Sequence, residues 1–175
     1  MNILNTDRLT LREFNTNDAE FIVSLLNNPT WLKYIGDRGV KTLDDAGKYI
    51  TDKFIKSYAT NGFGLYLVLL KNKNIPIGMC GLVKRETLED VDLGFALSPD
   101  FFGKGYAFES AFATLNYAKT VLKIKKIVAI TTAENLNSIA LLKKLNFNFK
   151  KLIRLSHDDE ELMLFSNKKS PDNFL

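Results

Sequence analysis

A single cysteine, Cys80, and a single histidine, His157, stand in a chain of 175 residues. One cysteine forbids an intramolecular disulfide, and one of each leaves too few ligands for a Cys/His metal site, so no metal is expected. These counts favour a reducing, cytoplasmic compartment. Long apolar runs are missing too. The most apolar stretch, "GFGLYLVLL" at 62–70, falls well short of the roughly 20 residues a membrane helix needs. The opening "MNILNTDRLTL" has no basic segment leading into an apolar one, so neither an export signal nor a membrane partner is expected. Charge of one sign is also scarce: 24 Lys and Arg oppose 20 Asp and Glu, a net of +4. The basic clusters "LKIKK" at 122–126 and "KKLNFNFKK" at 143–151 alternate with apolar residues as solvated faces do. Nucleic acid is therefore not an expected partner. There is no repeat, Pro-rich linker or low-complexity stretch, and a 46% hydrophobic fraction over this length supports one core. One domain over 1–167 with a loose tail at 168–175 is expected.

Periodicity changes twice along the chain. "RLTLREF" at 8–14 alternates as a half-buried strand does, and "NTNDAEFIVSLLNNP" reads as a capped helix ending before Pro29. A short helix is expected around "PTWLKYI", and a third from Thr42, with Asp45 three positions on, to just before Gly62. The runs "FGLYLVLLKN", "IPIGMCGLVKR" and "VDLGFAL" are then β-rich with no helix between them, which predicts an antiparallel meander. A helix over about 106–121 follows, with apolar residues at 108, 111, 112, 115, 118 and 122. After it come a buried-type strand "KIVAITT", a short helix "NSIALLKKLN", and two closing strands, "FNFKKLIRL" and "EELMLFS".

At the mouth of the 106–121 helix lies "SPDFFGKGYAFESA". The first amides of a helix have no partner and carry partial positive charge, so a glycine turn there suits a phosphate. Gly103 to Ala107 supply the candidate amides, with Lys104 as an added charge or simply a solvated one. A Walker loop requires Ser or Thr after the lysine, where Gly105 stands, and a Rossmann turn requires a parallel frame in place of a meander. For a lone Gly-x-Gly, a tight strand-to-helix turn is the competing explanation.

Three blocks in order, "TDRLTLREFNTNDAEFI", "VDLGFALSPDFFGKGYAFESA" and "ENLNSIALLKKLNF", resemble the GNAT superfamily of acyl-CoA N-acyltransferases, in particular its RimJ/RimL-like branch. The resemblance implies a mixed α/β fold: a mostly antiparallel sheet of about seven strands with one parallel pair, and helices on both faces. It implies acetyl-CoA as acyl donor and an amine acceptor, either a peptide N-terminus or a small molecule, on a monomer or homodimer. The superfamily's phosphate loop, Gln/Arg-x-x-Gly-x-Gly/Ala, falls on Phe102-Gly103-Lys104-Gly105-Tyr106-Ala107. Phe102 replaces the polar residue, as is usual in that branch. Backbone groups of Phe95, Ala96 and Leu97 would pair with the pantetheine amides. The family's Asn-x-x-Ser falls on Asn135 and Ser138, Asn135 being either a helix cap or a ligand, and Ser138 either a donor to the departing sulfur or a partner of its own helix. Two departures stand out. The tyrosine that many members carry four positions after this serine is Leu142, and the usual Lys-Leu-Gly-Phe is Lys144-Leu145-Asn146-Phe147.

Acetyl transfer requires a neutral amine, a site for an oxyanion and a thiolate leaving group, and a thiol pKa of about 8.5 makes the last the least demanding. Asp92 shares a strand face with Gly94 and Ala96 and is the expected base, against the alternative of a merely solvent-facing side chain. Glu86, Glu89 and Asp90 are the alternatives, whereas His157, in a polar turn, is not expected to act. Trp31, Tyr34, Arg38 and Arg85 are candidates for an acceptor cleft, with core packing as the competing explanation for Trp31 and Tyr34. A non-catalytic acyl-CoA-binding module is the alternative function.

Overall fold

Alternation along one strand divides the molecule into two faces. In β3 (Leu65–Leu70), Tyr66 and Val68 join one buried cluster while Leu67 and Leu69 join a second. Side chains two apart share a face, so a strand apolar at every position must be covered on both sides. A computed structural model of the protein describes residues 2–156 and 160–167. His157 and the tail expected at 168–175 lie outside the described residues.

The chain runs β1 (Asn2–Asn5), β2 (Leu9–Arg12), α1 (Ala19–Leu26), α2 (Pro29–Tyr34), α3 (Leu43–Tyr49), a π-helical turn (Ile50–Ile55), α4 (Lys56–Asn61) and β3. There follow β4 (Ile75–Val83), β5 (Val91–Leu97), α5 (Tyr106–Thr120), β6 (Ile127–Thr131), α6 (Leu136–Lys144), β7 (Asn148–Ile153) and β8 (Leu162–Ser166). The sheet order is β1-β2-β3-β4-β5-β6-β8-β7. Every neighbouring pair is antiparallel except β5 and β6, which α5 connects. Ala111 and Ala118 of α5 and Leu142 of α6 pack on one face, in the cluster that also holds Phe147 and Phe165. Ile22, Leu25, Ala46, Ile50 and Phe54, from α1 to the π-turn, cover the other.

The mixed fold and the meander agree with the sequence reading, while the strand count rises from seven to eight. The extra strand, "NILN", is short and half asparagine, a composition with little β preference, and it is held by pairing with β2. The expected cap of the third helix is present: Thr42 Oγ1 accepts from the Asp45 N–H at 3.1 Å, and Asp45 reaches back to the Thr42 N–H. The α5 stripe is rotated from the expected one. Its buried residues are Ser110, Ala111, Thr114 and Ala118, whereas Phe108 and Phe112 stack on each other at 5.8 Å in exposed positions. Small side chains let the helix lie close on the sheet, and the larger rings are turned outward.

Candidate active site

A gap opens between β5 and β6. β5 pairs with β4 from Asp92 to Leu97, but with β6 only at Val91↔Ile127 and Asp92↔Val128. Beyond that point β6 is held by β8 instead, from Val128 to Thr131. The β6-facing edge of β5 from Leu93 to Leu97, which includes Phe95 and Ala96, thus has no strand beside it among the described residues. Its amide and carbonyl groups can pair with an extended amide-bearing ligand as a strand would. Thr132, just past the end of β6, has a buried Oγ1 without a hydrogen-bond partner, which adds a polar group near this opening.

The edge leads into the glycine loop. Gly103 and Gly105 have φ of +72° and +80°, the left-handed region where a side chain is strained, and Gly105 is the N-cap of α5. Among the described residues no side chain caps this helix, so its first amides, from Tyr106 and Ala107 onward, are open to a ligand. An anion fits that donor set. Lys104 contributes differently from the expectation. Its Nζ donates to the Asp100 carbonyl at 2.7 Å and lies over the Phe101 ring, so its charge is folded back on the preceding turn. Phe102 is exposed. The loop is gripped from outside by Arg8, whose Nη1 donates to the Lys104 carbonyl at 3.0 Å and whose Nε meets Glu109 Oε2 at 2.6 Å. Arg8 was visible in the sequence only as part of the "TDRLTLR" block.

Across the gap, Asn135 caps α6: its Oδ1 accepts from the Ser138 N–H at 3.1 Å. The capping role is therefore present, and it places Ser138 in the first turn, half-buried. Leu142 is fully buried in the core. Asn146 takes φ +62°, and the Phe147 N–H donates to the Leu142 carbonyl at 2.9 Å, so asparagine preserves the left-handed helix end.

Asp92 stands where β5 and β6 part. It is 1% exposed, not solvent-facing. Arg85 Nε donates to Oδ2 at 2.7 Å, while Oδ1 has no partner; the Ile130 N–H adds a favourable field without completing a hydrogen bond. Burial pushes the carboxyl up to about 6, against the opposing charge and hydrogen bond of Arg85. Of the alternatives, Glu86 and Glu89 are exposed and Asp90 pairs with Lys126 at 2.7 Å. Cys80 is excluded as a nucleophile, because burial pushes its thiol up to about 11.

Trp31 belongs to the core: it is 6% exposed and its indole N–H donates to the Gly36 carbonyl at 3.1 Å. It packs in the cluster under the helical face, as the core alternative for this residue has it. Tyr34 is half-buried under Lys33, and Arg38 is exposed on the loop after α2. Tyr49 was missed in the sequence. Burial raises its phenol, and the charges of Arg38 and Arg85 each oppose that rise, so both arginines lie within electrostatic reach of Tyr49. The π-turn begins at the next residue. Hydrogen bonding from i to i+5 makes residues five apart near neighbours, so Tyr49 meets Phe54 edge-on at 5.4 Å, where α-helical phase would separate them.

The acetyltransferase (GNAT) domain family matches residues 8–148. The chain is 29% identical over 159 residues to the uncharacterized N-acetyltransferase p20 of Bacillus licheniformis, covering 88% of this chain and 86% of that one. It is 25% identical over 141 residues to the spermidine N(1)-acetyltransferase of Vibrio cholerae, covering 80% and 79%. In structure it superposes on the ribosomal-protein alpha-N-acetyltransferase RimL in complex with coenzyme A with a TM-score of 0.78 at 19% identity, over 95% of this chain and 97% of that one. The chain belongs to the GNAT family of acetyltransferases, whose members use acetyl-CoA, and it is an N-acetyltransferase. Among the described residues no helix is long and apolar enough to cross a membrane, and no group of side chains suits a metal ion.

Proposed function

We propose that the protein transfers the acetyl group of acetyl-CoA to a primary amine, either a peptide N-terminus or a small-molecule amine, by direct attack on the thioester. The observation that carries this reading is the continuous path from the unpaired edge of β5 to the left-handed glycine turn at the start of α5. Coenzyme A has the matching chemistry in the matching order, two amides followed by a pyrophosphate. The backbone of Phe95, Ala96 and Leu97 takes the amides, and the α5 amides take the pyrophosphate.

In the reaction, Asp92 accepts one proton from the substrate ammonium, directly or through water at Oδ1. The neutral amine forms the C–N bond, and a free N–H of β5 receives the developing oxyanion. The C–S bond then breaks, and the second amine proton passes to the sulfur through the Ser138 hydroxyl. Asp92 releases its proton to solvent, so acetylated amine, free thiol and one proton balance the acetyl-CoA and ammonium consumed. A base of pKa about 6 lies about 2 units below a peptide α-amine and more than 4 below a lysine or aliphatic amine. The proton transfer is therefore easier by roughly 3 kcal/mol for an α-amine acceptor. The test is thiol release from acetyl-CoA with peptides of free α-amine, lysine side chains blocked, beside polyamines and aminoglycosides. Faster turnover of the α-amines supports the reading; coenzyme A binding without thiol release from any acceptor overturns it.

A further inference from the structure

We propose that Arg8 is the positioning residue of the glycine loop, fixing it in the form whose amides face the pyrophosphate; this rests on the acetyl-CoA reading above. The loop needs such a device. It contains two glycines in left-handed conformations, α5 has no side-chain cap, and Lys104 points its charge back at Asp100. Left alone, glycines sample many conformations, and ordering them at the moment of binding lowers affinity.

Arg8, in the turn before β2, holds three successive parts of the loop at once. Its Nη1 donates to the Lys104 carbonyl at 3.0 Å, its guanidinium carbon lies 4.6 Å above the Tyr106 ring, and its Nε donates to Glu109 at 2.6 Å, one helical turn into α5. The Arg8 backbone N–H also donates to Glu109 Oε1 at 3.0 Å, and the Thr6 hydroxyl donates to the same oxygen. The strand entry and the helix start thus share one carboxylate. Nη2 takes no hydrogen bond among the described residues and lies 3.3 Å from where a Cβ on Gly105 would sit. The left-handed φ of +80° is what restricts position 105 to glycine, and a Cβ there would also press on Arg8.

Charge makes the arrangement interdependent. Burial favours the neutral form of Glu109, yet the hydrogen bonds from Thr6 and Arg8 outweigh it and keep the carboxyl below its ordinary range, hence ionised. An unneutralised carboxylate one turn inside α5 would oppose an anion at that helix start. Arg8 cancels it while holding the loop. A lysine can supply the charge but not the planar fork that reaches the carbonyl and the carboxylate together.

The experiment measures coenzyme A affinity by calorimetry, and the melting midpoint of the ligand-free protein, for wild type, Arg8→Gln, Arg8→Lys and Gly105→Val. Arg8→Gln is expected to weaken coenzyme A binding at least tenfold while the ligand-free midpoint moves by no more than about 4 °C, since the ion pair is half-exposed. Arg8→Lys is expected to recover only part of the loss, and it carries the same test if the glutamine variant does not fold. Affinity within twofold of wild type in Arg8→Gln, with Gly105→Val having lost binding, overturns the inference and leaves the acetyl-CoA reading intact. Full recovery in Arg8→Lys also overturns it, since charge alone would then suffice. Retained affinity in Gly105→Val removes the phosphate-loop reading and this inference with it.

Discussion

Replacing Asp92 with Asn keeps the shape of the side chain and an oxygen to accept from Arg85 Nε, while removing the charge. The consequence for stability follows from the carboxyl's raised pKa. A folded-state value of about 6 against an ordinary 3.8 means that the folded protein holds a proton the unfolded chain releases between about pH 4 and pH 6. Wild-type stability from this group is therefore full below pH 4 and falls as pH rises to 6. About two units at 1.36 kcal/mol each give a loss of roughly 3 kcal/mol. The neutral amide has no such loss. Asp92→Asn should match wild type near pH 3.5 and be more stable by up to about 3 kcal/mol at pH 7.5, a difference that urea denaturation at the two pH values measures. Activity should move the other way, falling by about 10²- to 10⁴-fold for loss of a general base. The wild-type rate should rise through about pH 6 as Asp92 ionises. A variant less stable than wild type at pH 7.5 would show that the Arg85 pair outweighs the burial of charge. Undiminished turnover would remove Asp92 from the chemistry.

Three further outcomes follow from particular contacts. Ser138→Ala should lower kcat by roughly tenfold or more while coenzyme A affinity stays near wild type, as for a proton donor acting in the transition state; steady-state kinetics beside calorimetry reads both, and an unaltered kcat removes the role. Gly81→Ala should destabilise the protein by more than about 3 kcal/mol, because a Cβ there would stand 2.1 Å from the carbonyl oxygen of Gly64, just before β3, a backbone atom with little room to yield. Tyr58→Phe should cost about 1–3 kcal/mol in thermal denaturation, since the hydroxyl accepts from the Phe14 N–H at 3.1 Å and donates to the Leu65 carbonyl. That variant should leave coenzyme A affinity unchanged.

Features set by local chemistry were legible in the sequence. The Thr42–Asp45 cap, the start of α5 at Tyr106, and the left-handed Asn146 each depend on a few adjacent residues, and each is found where expected. The glycine loop was legible for the same reason. Features that depend on distant partners were not. β1 exists because β2 pairs with it, and nothing in "NILN" announces a strand. Tyr49 comes within electrostatic reach of Arg38 and Arg85 through the packing of separate segments, which periodicity along one helix could not show. Alternation put Asp92 on a face with Gly94 and Ala96, but its burial and its pairing with Arg85 come from the parting of β5 and β6. Arg8 and Glu109 lie 101 positions apart in the chain, and their contact is created by α5 crossing back over the sheet. Trp31 was consistent with cleft or core, and the indole hydrogen bond to Gly36 places it in the core.

The proposed hold on coenzyme A is through the amides behind Gly105. Its most direct test is calorimetric titration of coenzyme A into wild type and Gly105→Val, with circular dichroism as the check on folding. Valine is strained at φ +80°, and among the described residues the only atom its Cβ meets is the end of the Arg8 side chain, so the substitution perturbs the loop and leaves the core alone. Saturable one-to-one binding to wild type, loss of that binding in the variant, and the same secondary structure in both are expected. Equal affinity in the two proteins, or no binding to wild type, would contradict the proposed hold.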